Sequence, residues 1–272
     1  MAENRMLTYK MKKNKISVIT INYNNKSGLE KTIQSVISQT YFELEYIIID
    51  GGSSDGSIDV IKKYENKIDY WISEQDKGIY NAMNKGIAQA HGEYCNFMNS
   101  GDCFHDSEVL EDVFSKQTQK ADIITGNTIL SGKRRILETA PNEISAAFLF
   151  NATLNHQSTF IKTSLLKENP YNENFRLASD WIFFMQKLIL ENYTYQHVNR
   201  IISIFQMNGL SSNGNMYQEE KDKALKTMFP APILSDYQSC ASLIIRYRKA
   251  STIGKKIITL ISIISQKLFY KE

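Results

Sequence analysis

An α/β fold, with a mostly parallel central sheet flanked by helices, is predicted by three features of this 272-residue chain. Apolar, β-branched runs alternate with amphipathic segments through the first half. The runs are apolar on both faces, as strands covered on each side by helices must be. Each ends in a loop rich in Asn, Asp, Ser or Gly, at the strand end where open α/β sheets bind ligands.

The first strand is Ile16 to Ile21, closed by Asn22-Tyr23-Asn24-Asn25. A helix follows, in which Leu29, Ile33, Val36 and Ile37 share one stripe; Ser27 is the expected cap and Glu30 stands at capping-box spacing. Leu44 to Ile49 is a second strand, ended by Asp50-Gly51-Gly52-Ser53-Ser54-Asp55-Gly56, and Ser57 to Tyr64 the next helix. Tandem β-α units imply parallel strands with right-handed crossovers. A third strand, Ile68 to Ser73, leads through Glu74-Gln75-Asp76-Lys77-Gly78 into a helix from Ile79 to about Ala90. Glu93 to Met98 is the fourth, breaking off at Asn99-Ser100-Gly101-Asp102.

Beyond this tip, a helix over Asp106–Lys116, capped by Asp106 or Ser107, precedes a strand at Ala121–Gly126. A hairpin over Thr128–Glu138 turns at Ser131-Gly132. Glu143–Phe150 is predicted helical, Gln157–Ile161 extended and Ser179–Glu191 a long helix. Two short strands follow at Tyr193–Val198 and Ile201–Phe205, then a Gly-Ser loop at Gly209–Gly214. The last forty or so residues are helical in pattern, and Ile253, Ile257, Leu260, Ile261, Ile264 and Leu268 recur at helical spacing.

Charge and cysteine usage narrow the classes. The net charge is +3, and Ser242–Glu272 holds seven basic residues against Glu272 alone, so no general nucleic-acid surface is expected. That basic helical end invites contact with an anionic membrane surface through residues 242–272, or packing on the body or a second subunit in a homo-oligomer. Cys95, Cys103 and Cys240 form no CxxC pair, which fits a reducing cytoplasm. A basic N-terminus without an apolar h-region predicts no secretory signal, and no apolar run reaches the ~18 residues of a membrane span. The expected location is cytoplasmic, and peripheral at the inner face of the cell membrane if that basic end binds lipid.

The candidate chemistry lies at the strand ends. Asp50 can accept from a ring N–H or ribose hydroxyl, or cap its own loop, while Gly51 and Gly52 let backbone approach a planar ligand. There is no Walker A and no GxGxxG sequence, so an ATP P-loop or dinucleotide site is not expected. Asp76 to Gly86 is dense in polar groups at a helix start, where Lys77 and Lys85 either hold a diphosphate or a sugar or are simply solvated. Asp102 is the candidate ligand for a divalent cation, Mg2+ or Mn2+, completed by diphosphate and water, or else it closes an Asx-type turn. His156, with Gln157 beside it, is either a structural histidine or one that faces an acceptor or the metal. Asp180 either complements a helix start or acts as a general base.

Taken together, the strings Val18–Asn24, Gln39-Thr40-Tyr41, Ile47–Gly56, Asp76–Gly86, Gly92-Glu93-Tyr94, Phe97–Asp102, His156-Gln157-Ser158 and Ser179-Asp180 resemble glycosyltransferase family 2, inverting enzymes of GT-A fold. The match is specific to about residue 126 and looser to about 215. The resemblance implies a Rossmann-like nucleotide half and an acceptor half. It divides the chain into a basic segment 1–14, a catalytic domain 15–215 (nucleotide-sugar half 15–126, acceptor half 127–215) and a C-terminal helical extension 216–272.

By the same resemblance Tyr23 and Asp50 contact the base, and Asp76 and Lys85 lie along the nucleotide-sugar. The implied nucleotide-sugar set is Thr20, Asn22, Tyr23, Asn24, Asp50, Gly51, Ser53, Asp76, Lys77, Gly78, Asn84, Lys85, Asn99, Ser100 and Gly101. Asn99, Gly101 and Asp102 fall on the family's DxD metal motif, of which only the trailing Asp102 is retained. Asp180 falls on the family's base. The implied activity is hexosyl transfer from a UDP-type nucleotide-sugar donor to a saccharide or lipid-linked acceptor, as in bacterial cell-surface polysaccharide synthesis. The alternatives are a nucleotide-sugar-binding scaffold, suggested by the incomplete motif, and a sugar nucleotidyltransferase, against which Asn22–Asn25 offers no Gly-rich basic loop.

Overall fold

The computed structural model describes residues 14–115, 119–206 and 214–249. By its contacts the chain forms two compact units, residues 1–217 and 218–272. In order, the first unit runs β1 (Ile16–Asn22), α1 (Lys26–Ile37), β2 (Leu44–Asp50), α2 (Ser57–Lys63), β3 (Tyr70–Ser73), α3 (Ile79–Gln89), β4 (Tyr94–Phe97), β5 (Cys103–Phe104), α4 (Val109–Phe114), β6 (Ile123–Ser131) and β7 (Arg135–Glu138). It continues with α5 (Ala146–Asn151), β8 (Thr159–Lys162), α6 (Thr163–Glu168), α7 (Ser179–Phe184) and β9 (Tyr195–Gln206). Helix α8 (Gly214–Met228) crosses into the second unit, which adds α9 (Ala231–Lys249).

The sheet order is β3-β2-β1-β4-β8-β6-β9-β5, with β7 beside β6. The predicted parallel core is present: β1 pairs in parallel with β2 and β4, and β2 with β3. Antiparallel β8 joins this half to β6. Val18, Ile19 and Ile47 to Ile49 are fully buried because both faces are covered. Leu29, Ile33 and Val36 of α1 cluster with Ile16, Val18 and Ile48 on one face. On the other, α3 comes so close that a Cβ on Gly86 would lie 2.4 Å from Ile19 Cγ2. Each fully buried aliphatic side chain contributes about 1.5–3 kcal/mol.

Several local expectations are corrected. Asn25, not Ser27, caps α1, its side chain accepting from Gly28 N at 3.2 Å; Ser27 falls within the helix. The helix expected from Asp106 begins at Val109, because Asp106 is taken by Arg200 at 2.7 Å and by Glu108 N. The strand expected to end at Gly126 continues to Ser131. The two short strands expected after Tyr193 are one, β9, and the break is instead a register shift where β9 crosses β6 between Thr125 and Thr128. A Cβ on Gly126 would meet Ile202 Cγ1 at 2.3 Å and Arg200 O at 2.7 Å, so glycine here admits a close approach rather than ending a strand.

His156–Ser158 is a 3-10 turn rather than the start of a strand, and the long helix after Ser179 relaxes into a π-helical stretch at Met185–Leu190. Strand β5 and helix α6 carried no periodic signal of sufficient length. The basic N-terminus, the Gly209–Gly214 loop before its last residue and the apolar stripe from Ile253 to Leu268 lie outside the described residues. Among the described residues no helix is long and apolar enough to cross a membrane.

Candidate active site

The carboxyl ends of β1 and β2 meet where Asn22 stands opposite Asp50. Asp50 is fully buried and accepts from Asn22 Nδ2 (2.7 Å), Ser53 Oγ (2.6 Å), Ser53 N (2.9 Å), Gly52 N (3.2 Å) and Ser73 Oγ (2.6 Å). Burial opposes its charge, but the Ser53, Ser73 and Asn22 donors outweigh it and hold the carboxyl below its ordinary range. Asp50 thus organises the loop beneath Gly51 and Gly52, the capping alternative weighed above. Ser53 Oγ also accepts from Asn24 N at 2.8 Å, and Asn24 takes the left-handed φ of 47°. Thr20 is enclosed, its hydroxyl donating to Met98 O at 2.8 Å, and links strands rather than lining an opening.

Above this loop three groups converge. A Cβ placed on Gly51 would lie 2.4 Å from Asp76 Oδ2 and 3.2 Å from the Tyr23 ring. Tyr23 is 66% exposed, an aromatic face open to a stacking partner. Asp76 Oδ1 accepts from Gly78 N at 2.9 Å, which fixes the turn into α3. Lys77 is exposed, Gly78 has φ 128°, and no side chain caps α3. Lys85 pairs with Glu74 at 2.7 Å. Asn84 is turned elsewhere: it donates to Tyr171 O and Glu173 Oε1 and accepts from Tyr171 N, tying α3 to the segment before α7.

The tip after β4 is braced by α1. Thr32 Oγ1 donates to Asp102 O at 2.6 Å and accepts from Gly101 N at 2.9 Å, while Asn25 Nδ2 donates to Ser100 O at 3.0 Å. Gly101, at φ 108°, makes the turn that L side chains resist. Asp102 is only 5% exposed; its Oδ1 accepts from Gln206 N at 3.0 Å, and burial pushes its pKa up to about 6. Asn99 Oδ1 is buried without a hydrogen-bond partner.

Asp180, at the start of α7, lies against this tip through His156. His156 Nδ1 is 3.3 Å from Asp180 Oδ2, and its Nε2 is 3.0 Å from Asn99 Nδ2. With Nδ1 protonated, the imidazole donates to Asp180 and accepts from Asn99. Tyr80 of α3 donates to Asp180 Oδ1 at 2.8 Å, and burial followed by the Asp180 charge raises the Tyr80 phenol well above its ordinary range. Gln157 is buried, its backbone oxygen accepting from Asn96.

The structure therefore gathers Asn22, Tyr23, Asn24, Gly51, Ser53 and Asp76 at one end, and Asn99, Asp102, His156 and Asp180 at the other. Tyr80, Thr32 and Asn25 were missed as contributors. Tyr80 and Thr32 sit at helix positions that periodicity assigns to packing, and only their hydroxyls hint otherwise.

The family model described as Glycosyl transferase family 2 matches residues 17–189, the stretch that holds every one of these groups. The chain belongs to glycosyltransferase family 2. An uncharacterized glycosyltransferase of Mycobacterium tuberculosis is 32% identical over 205 residues, 73% of this chain and 77% of the relative. S. aureus TarS, in complex with UDP, superposes at TM-score 0.58 with 22% identity over 71% of this chain and 60% of that one. The Pyrobaculum calidifontis mannosyltransferase, with GDP-Man and Mn2+, gives TM-score 0.58 with 12% identity over 96% of this chain and 82% of its own. These likenesses establish the GT-A fold.

For this glycosyltransferase the donor set at the tip fits a hard cation. It offers the Asp102 carboxylate and the unpartnered Asn99 Oδ1, and Mg2+ takes one or two carboxylates plus substrate phosphates. Among the described residues no cluster of three or more His, Cys, Asp or Glu side chains could hold a metal by itself.

Proposed function

We propose that this chain transfers a hexose from a UDP-sugar to a hydroxyl of a saccharide or lipid-linked acceptor, with inversion, in cell-surface polysaccharide synthesis at the cytoplasmic face of the membrane. In this reading residues 15–215 are the catalytic domain and 216–272 an extension, helical over its described residues. The observation that carries the reading is the chain Tyr80–Asp180–His156–Asn99, which couples a carboxylate on the acceptor half to the tip that bears Asp102.

Tyr23 stacks on the base over Gly51, and Asp76 takes ribose or sugar hydroxyls; Asp50, with its five internal donors, positions Gly51 and Gly52 instead of touching the base. Lys77, Gly78 and the open start of α3 face the sugar-diphosphate, with Lys85 behind them. TarS structures hold UDP and UDP-GlcNAc, which supports the nucleotide. Asp102 and Asn99 would hold a divalent cation, which, when bound, would neutralise charge on the departing diphosphate. Asp180 takes the proton of the acceptor hydroxyl, whose oxygen bonds to the anomeric carbon as the bond from that carbon to the phosphate oxygen breaks; one displacement inverts the centre. Tyr80 and His156 fix the Asp180 rotamer and keep one lone pair turned to the acceptor.

The test is a donor panel with purified protein, Mn2+ and saccharide and lipid-linked acceptors. Transfer from a UDP-sugar giving product of inverted configuration supports the reading. Tight UDP binding without transfer to any acceptor supports the scaffold alternative.

A further inference from the structure

The hairpin of β6 and β7 leaves apolar side chains unburied on both of its faces. Leu137 pairs with Ile129 and Ile136 with Leu130 across the ladder, and β9 sets Ile204 beside Ile129 and Phe205 beside Leu130. Side chains alternate along a strand, so Ile129, Leu137 and Ile204 share one face and Leu130, Ile136 and Phe205 the other. None of the six is buried, and Ile136 and Leu137 are 54% and 55% exposed. The ribbon is therefore apolar on both sides.

Its tip is cationic. Lys133, Arg134 and Arg135 are consecutive and exposed, and no ion pair engages them among the described residues. The nearest acid in the strand, Glu138, accepts from Asn155 Nδ2 at 2.9 Å. A bare apolar edge is a liability in water, and charges at its tip guard it from strand addition. Unpaired cations flanked by aliphatic side chains also match a surface with phosphates outside and acyl chains beneath.

We propose that the β6–β7 hairpin docks this protein on an anionic phospholipid surface. Lys133, Arg134 and Arg135 meet headgroup phosphates, and Ile136 and Leu137 enter the acyl boundary. A second copy is a poorer occupant, because pairing two tips would oppose like charges. The hairpin is rooted at the candidate site: Ser131 pairs with Gln206, whose N–H holds Asp102, and Glu138 holds Asn155 beside His156. Docking would set the tip that bears Asp102 toward the bilayer. Its presentation of a lipid-linked acceptor rests on the transferase reading; the docking itself does not.

The experiment is co-sedimentation of the full chain with vesicles of phosphatidylcholine alone or with phosphatidylglycerol. Binding is expected only to the anionic vesicles. It should fall about fivefold per charge removed, on the order of 100-fold in Lys133→Gln/Arg134→Gln/Arg135→Gln, and it should fall also in Ile136→Ser/Leu137→Ser. Both variants should melt as the parent does, since they change exposed side chains, and both should keep UDP binding, so that a failure of docking is distinguishable from a failure of the transferase reading. Undiminished binding by the triple variant, loss of binding only on truncation before Ser242, no binding by the parent, or a dimer dissociated by Ile136→Ser/Leu137→Ser would overturn the proposal.

Discussion

Tyr80 and Asp180 lie 100 residues apart in sequence, and the Tyr80 hydroxyl donates to Asp180 Oδ1 at 2.8 Å. The bond ties α3, which follows β1 to β3, to α7. It leaves Asp180 with partners on both oxygens and one orientation.

Tyr80→Phe removes this donor while keeping the ring against Tyr171, whose centroid lies 5.4 Å away. Transfer should fall about tenfold in kcat, with donor KM nearly unchanged, because orientation of the base is lost and the donor pocket is not. Steady-state kinetics at saturating and limiting UDP-sugar separates the two parameters.

A pH effect follows from Asp50. Its folded pKa is depressed below 3.8 by the donors that outweigh burial, so its contribution to stability is present above 3.8 and lost as pH falls through the folded value. Asp50→Asn puts an NH2 among five donors and should cost about 1–3 kcal/mol near neutrality. Urea titrations near neutrality and at about pH 3 should show that deficit shrinking in acid.

Gly126 and Gly51 should respond differently to alanine. At Gly126 the new Cβ would meet Arg200 O at 2.7 Å, backbone that cannot step aside, so Gly126→Ala should lower stability by about 1–3 kcal/mol. At Gly51 it would meet the end of the Asp76 side chain and the rim of exposed Tyr23. Gly51→Ala should therefore melt nearly as the parent does and bind UDP more weakly, as calorimetry on both variants would read.

These cases also mark what was legible in the sequence. The strands β1 and β2, their Asp-Gly and Asn-rich ends and the polar start of α3 were all visible, because apolar runs and loop chemistry are local signals. Gly126 looked like a breaker, since the residue that needs its space, Ile202, is 76 positions away in sequence. Ser27 looked like the cap of α1, but Asn25 serves both Gly28 N and Ser100 O, and only the fold brings Ser100 there. Asp50 was legible as a key carboxylate, yet its five donors from Asn22 to Ser73 become visible only when three strands align.

Metal should bind weakly without nucleotide, since Asp102 is the one carboxylate at the tip and Gln206 N already takes one of its oxygens. Mn2+ titration should show affinity rising by at least tenfold in the presence of UDP, and Asp102→Ala should erase that gain. Equal Mn2+ affinity with and without UDP would place the cation elsewhere.

The role proposed for Asp180, base toward the acceptor hydroxyl, is probed by Asp180→Asn. With transfer and UDP binding measured on the same preparation, transfer should drop about 100- to 10,000-fold while UDP affinity and melting temperature stay near the parent's. Retained transfer, or a parallel loss of transfer, binding and thermal stability, would rule Asp180 out as the base and return it to a helix-start role.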